Sequence, residues 1–142
     1  MLDTDVVVSA LIWGGVPFRL LQAAATGDVL LFTSPELLDE LRDVLAREHL
    51  ASRLAKKISS VERAIALYGE LAISITPRSV PRVVLADPDD DHVIACALAA
   101  RADALVSGDR HLLGLGSPWN RIAILTAAQA IEFLGTATSA RD

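Results

Sequence analysis

Two carboxylates flank a threonine at the start of this 142-residue chain, in Leu2-Asp3-Thr4-Asp5-Val6, and the sequence then carries no charge until Arg19. An ionised acid beside a buried segment is costly unless a cation or hydrogen-bond donors compensate it. The chain offers Asp3 almost no neighbouring base. It offers more acid instead: Glu40, Asp87, Asp89, Asp90, Asp91 and Asp109. Acids that converge without bases suit a divalent cation, so the question becomes which of them the fold brings together.

The elements that must position them follow from pattern and punctuation. Met1–Asp3 reads as the end of a short strand. Val6–Trp13 reads as helix or continued strand, because the β-branching of Val6-Val7-Val8 leaves periodicity undecided. Gly14-Gly15 and Pro17 break the chain, and Phe18, Leu20, Leu21 and Ala24 suit a helix ending near Gly27. Val29–Thr33 is strand-like. Ser34-Pro35 pairs a capping serine with proline at the first helical position, opening a helix to Arg47, and Leu50–Leu54 adds a turn. Ser59-Ser60-Val61-Glu62 reads as a capping box for a helix to about Leu71, followed by a strand at Ile73–Thr76 and an irregular stretch over Arg78–Leu85. Asp87-Pro88 opens a helix through Ala100. Ala104–Ser107 and Ile122–Leu125 are further strands, with a short helix around Leu112-Leu113 between them and a last helix from Thr126 to Phe133. Helices alternating with short apolar strands predict an α/β fold, a mostly parallel sheet covered on both faces, in one domain spanning residues 1–142.

In such sheets function gathers beyond the carboxyl ends of the strands. Asp3 ends the first expected strand and Asp109 lies just past the fourth. Helical geometry sorts the rest. At about 100° per residue, Glu40 lies about 100° from the centre of the Leu37/Leu38/Leu41/Val44/Leu45 stripe, whereas Asp39 and Asp43 lie about 160° away. In the later helix Asp90 falls about 10° from the centre of the apolar face, Asp87 about 70° and Asp91 about 110°. Asp87 reads as a helix cap, and Asp89 and Asp91 as first-turn acids favoured by the helix dipole. Asp3, Glu40, Asp90 and Asp109 remain.

Clustered carboxylates suit Mg²⁺ or Mn²⁺, hard ions that favour oxygen ligands. His49, His92 and His111 form no pair at helical ligand spacing, which argues against zinc and leaves them as structural or solvent-facing residues. Thr4, Ser9 and Ser107 place hydroxyls beside the acids, suited to holding ligands or metal-bound water.

Composition bounds the setting. The chain is 52% hydrophobic and 22% charged, which excludes disorder, and its 4% aromatic content favours helix-rich packing. The lone Cys96 sits in an alanine-rich helical pattern as core filler and fits a reducing, cytoplasmic setting. The uncharged run Val6–Phe18 is too short and too broken to span a bilayer. A net charge of −5 argues against a nucleic-acid partner, but residues 41–82 hold eight of the 13 basic side chains against four acids. Such a basic middle suits either phosphate binding or an ordinary solvated helical face.

Leu2-Asp3-Thr4-Asp5-Val6, Ser34-Pro35-Glu36-Leu37-Leu38-Asp39-Glu40-Leu41, Asp87-Pro88-Asp89-Asp90-Asp91 and Val106-Ser107-Gly108-Asp109 resemble the successive motifs of PIN-domain nucleases, over nearly the whole chain. They look most like the VapC-type toxins of bacterial toxin–antitoxin pairs. The resemblance implies a three-layer fold with about five mostly parallel strands and a four-acid Mg²⁺/Mn²⁺ site at Asp3, Glu40, Asp90 and Asp109. It also implies an RNA substrate, a homodimer and a cognate antitoxin. Asp5 stands where the family commonly has asparagine, and Ser107 where threonine is usual. Only Met1 and Leu2 precede Asp3, whereas a buried strand runs to about five residues, which predicts a native start further upstream or a stunted first strand.

Two other readings compete. Asp3-Thr4-Asp5-Val6 also resembles the Asp-x-Asp start of haloacid-dehalogenase-like phosphohydrolases, in which the first acid is a nucleophile. That chemistry needs a downstream lysine, and the only lysines, Lys56 and Lys57, lie in a polar helical region. A non-catalytic PIN-like binding module is the second.

Overall fold

The computed structural model describes residues 1–58, 60–80 and 88–141, with residues 88–89 and 136–141 described by their backbone alone. The chain begins with an extended residue, Leu2, bridged in parallel to Val106. It then enters α1 (Thr4–Ile12), which resolves the ambiguity of the valine run in favour of helix. β-Branching disfavours a helix by only tenths of a kcal/mol per residue. Against that, Asp3 caps α1 by accepting from the Thr4 N–H, and Val6, Val7, Ala10, Leu11 and Ile12 are buried. Packing of a buried face outweighs propensity. Gly14 and Gly15, both at positive φ, make the break before α2 (Gly15–Ala25).

β1 (Leu31–Thr33) leads to α3 (Pro35–Leu45), whose cap is Ser34 accepting from the Leu37 N–H. α4 (Glu48–Ile58) is a full helix where a single turn was expected. Its Leu54 is completely buried, and that anchor extends the element. Ser60 caps α5 (Val61–Leu71) through the Arg63 N–H, one residue later than the expected capping box, whose Ser59 lies outside the described residues. β2 (Ala72–Ser74) follows. The irregular stretch expected over Arg78–Leu85 and the cap expected at Asp87 lie largely outside the described residues. α6 (Pro88–Ala100), β3 (Ala104–Val106), α7 (Arg110–Leu113), β4 (Ala123–Leu125) and α8 (Ala127–Arg141) complete the chain. Thr126 and Gln129 cap α8 reciprocally, each side chain accepting from the other's backbone N–H.

All pairing between the named strands is parallel, as expected for an α/β chain, but the sheet departs from a continuous five-stranded one. Among the described residues β1 pairs with β2, and β3 pairs with β4 on one side and with Leu2 on the other. Each named strand is three residues long, so each edge offers few groups with which to join the pair to the trio.

Two apolar clusters cut across that division, since Leu2 and Val106 pack in the first and Phe32 packs on the second. One gathers α1 to α5 and β1 around residues such as Val7, Leu41, Leu45, Leu54 and Tyr68. The other lies around β3 and β4, with Leu37, Ile94, Cys96, Leu105 and Leu112. Cys96 is fully buried, in keeping with a core role. No single helix among the described residues is long and apolar enough to cross a membrane; α1 and α2 meet that test only as a pair bent by 97°.

Candidate metal centre

Asp3, at the end of the extended N-terminal residues, is only 7% exposed. Its Oδ1 accepts from the Thr4 N–H at 2.8 Å and its Oδ2 from the Ser107 hydroxyl at 2.7 Å. Burial, then the charge of Asp5, push its carboxyl from the ordinary 3.8 up to about 7, against the opposing pull of the Ser107 and Thr4 donors. Desolvation disfavours the charged form, and a like charge adds to it.

Ser107, just beyond β3, is fully buried and serves two acids at once. While donating to Asp3 it accepts the Asp109 N–H at 2.9 Å. Asp109 caps α7, its Oδ1 accepting from the His111 N–H at 2.7 Å. The imidazole of His111 folds back, with Nδ1 3.4 Å from the same oxygen. From α6, Asp90 reaches this point: ligand atoms of Asp90, Asp109 and His111 lie within 4.8 Å of one another.

Glu40, half-buried on α3, joins from the other side, its Oε2 accepting from the Thr4 hydroxyl at 3.1 Å. A chain of hydrogen bonds therefore runs Glu40–Thr4–Asp3–Ser107–Asp109 and ends at the Asp90/His111 group. The structure thus links all four sequence-selected acids, yet Asp3 and Glu40 stand outside the trio whose atoms could share one ion. Both Asp3 oxygens are engaged by donors, one as the cap of α1 and one by Ser107.

Of the supporting hydroxyls, Thr4 and Ser107 bind the acids directly. Ser9 does not: it lies more than a turn further along α1, where its carbonyl accepts from the N–H groups of Trp13 and Gly14. Asp5 is exposed, and its Oδ2 accepts from the Gly108 N–H at 3.1 Å. A Cβ at Gly108 would stand 2.9 Å from that oxygen, so the absence of a side chain permits the approach.

Sequence reasoning missed two residues. Asp91, set aside as a first-turn acid favoured by the helix dipole, is 1% exposed, more deeply buried than Asp90 at 6%. The helix-face argument fails because Val93, Ile94, Ala95, Cys96 and Ala97 are all buried, so α6 has little solvent face to mark by angle. His111, set aside for lack of helical pairing, approaches the acids through a capping turn. Asp109-x-His111 was the available signal: a cap and the second helical residue sit side by side. His92 places Nδ1 2.9 Å from Glu36 Oε2, beside a groove of about 350 Å³ that also contains Glu40.

Two carboxylates with an imidazole suit a divalent cation of the Mn²⁺ type, and the oxygen donors also suit Mg²⁺. The fit rests on three ligand-bearing side chains from two separate elements converging beyond the carboxyl end of β3. The phosphohydrolase alternative fits less well, since Asp3 has both oxygens hydrogen-bonded and Lys56 and Lys57 are exposed on α4.

A family model described as PIN domain matches residues 1–111. No match was found among curated proteins or solved structures.

Proposed function

The chain belongs to the PIN-domain family, whose members are typically nucleases, and on that premise we propose that it is a Mg²⁺- or Mn²⁺-dependent endoribonuclease acting as the toxin of a toxin–antitoxin pair. The observation that carries the reading is the convergence of Asp90 and Asp109, with His111, at the end of a hydrogen-bonded chain from Asp3 and Glu40. A bound divalent cation supplies a lowered pKa for water and stabilisation of the departing oxygen. Asp90, Asp109 and His111 would hold it. Ser107 fixes Asp3 relative to Asp109, donating to the one and accepting the backbone N–H of the other. Thr4 sets the rotamer of Glu40, which borders the open groove where a substrate would approach. As implied by the motif resemblance, the active form is a homodimer silenced by a cognate antitoxin.

The test is cleavage of RNA with Mg²⁺ or Mn²⁺ by the wild type, Asp90→Asn and Asp109→Asn. Each variant should lose more than the ~10–100-fold that removal of an outer partner of a metal ligand costs. Equal cleavage by all three sinks the site. Absence of cleavage by the wild type on a broad RNA panel favours the non-catalytic binding module. Co-purification of a small protein from the native host tests the antitoxin assignment.

A further inference from the structure

Away from the acids, an exposed tryptophan meets a cationic helix. Trp13, the C-cap of α1, is 57% exposed, and the Arg53 guanidinium of α4 lies 4.4 Å from its ring centroid. Arg53 covers one face of the indole, which leaves the remaining exposure for a second planar group. On α4 the exposed side chains His49, Arg53, Lys56 and Lys57 fall within a sector of about 100°, clear of the buried Leu54. Glu48 lies outside that sector. In a chain of net charge −5 this is a local reversal of sign.

The patch is also connected to the acids. Asp5, Ser9 and Trp13 are spaced i, i+4, i+8 on α1, so they share one face and span about 12 Å along the axis. Asp5 and Trp13 are exposed and Ser9 is half-buried, and Asp5 accepts the Gly108 N–H immediately before Asp109. The face therefore runs from the candidate metal centre to the Trp13–Arg53 pair.

We propose that this face docks single-stranded RNA, with a base stacked on the open face of Trp13 and phosphates beside Lys56 and Lys57. The proposal rests on the nuclease reading above. Charge complementarity selects a polyanion, and the exposed indole selects one whose bases are unstacked and free to stack on an aromatic ring. Duplex RNA keeps its bases paired and cannot use Trp13.

Anisotropy of fluorescein-labelled single-stranded and duplex RNA with the full chain in EDTA measures docking without cleavage. Trp13→Ala should weaken single-strand binding at least about fivefold, with Trp13→Phe restoring most of it and duplex binding unchanged. Lys56→Ala/Lys57→Ala should weaken binding and flatten its salt dependence, with a loss of about 0.7 in log–log slope per lost phosphate contact. Single-strand affinity that is unchanged in Trp13→Ala, or lowered equally for duplex, overturns the proposal. So does a Trp13→Ala protein that retains RNA affinity but loses dimerisation or a co-purifying protein, since the face would then be a protein interface. Trp13-dependent binding in a protein that cleaves no RNA with either metal upholds the docking face while removing the nuclease reading.

Discussion

Two concavities lie at opposite ends of the strands. At the amino ends, beside Leu31 and Ala104, a cavity of about 480 Å³ is walled chiefly by Leu20, Leu31, Phe133 and Leu134, with Asp28, Arg101 and Asp103 among its lining. At the carboxyl ends the groove beside Glu40 is smaller, about 350 Å³, and the candidate metal centre lies close to it in the hydrogen-bonded network. Volume points to the first and chemistry to the second. The larger cavity is lined from both sides, by Leu31 and Phe32 of β1 and by Leu2, Ala104 and Val106. The smaller end is where separate segments stop and turn, so capping side chains from α1 and α7 converge there.

The comparison is most exposed to a change at the acids. Adding Mn²⁺ at about 100 times its dissociation constant should stabilise the wild type by about 2.7 kcal/mol. Asp109→Asn should lose most of that gain in a thermal melt. An undiminished gain would place the ion elsewhere, including in the amino-end cavity.

Next in size is Ser107→Ala. It removes the donor to buried Asp3 and the acceptor for the Asp109 N–H, so urea unfolding should show a loss of about 1–3 kcal/mol, with weaker Mn²⁺ affinity. Retained stability would mean that the two acids are positioned independently.

A pH series sharpens the contrast further. Because Asp3 titrates near 7 when folded against an ordinary value of 3.8, the metal-free folded protein holds a proton that the unfolded chain has released between those values. Stability should therefore fall as pH rises from about 4 to about 7, and Asp3→Asn should flatten that slope. A slope unchanged in Asp3→Asn would assign the titration to another group.

The smallest effect belongs to the amino-end cavity. Ala130, 4% exposed on its wall, should accept leucine at about 1 kcal/mol, the low end of the cost of a small-to-large core change, because the cavity gives it room, and with no change in RNA cleavage. A loss of cleavage without unfolding would tie the cavity to function and undo the contrast.

Local chemistry made much of the fold legible. Ser34-Pro35 marked the start of α3, Gly27 fell just past α2, and Asp109 stood where β3 gives way to a turn, because caps and glycines act within a few residues. The same local rules selected Asp3, Glu40, Asp90 and Asp109. Contacts remote in sequence were not legible. Val6-Val7-Val8 became helical because Val6 and Val7 are buried in a core to which α2, α3 and α4 contribute. Asp91 was misplaced because α6 is enclosed by other elements, and His111 because its approach depends on α6 delivering Asp90. Sequence alone determined which residues carry charge and where the chain turns, since both are local properties. The tertiary structure decided that Ser107, which binds Asp109 locally, also donates to Asp3 across 104 residues of separation, because only folding makes those two groups neighbours.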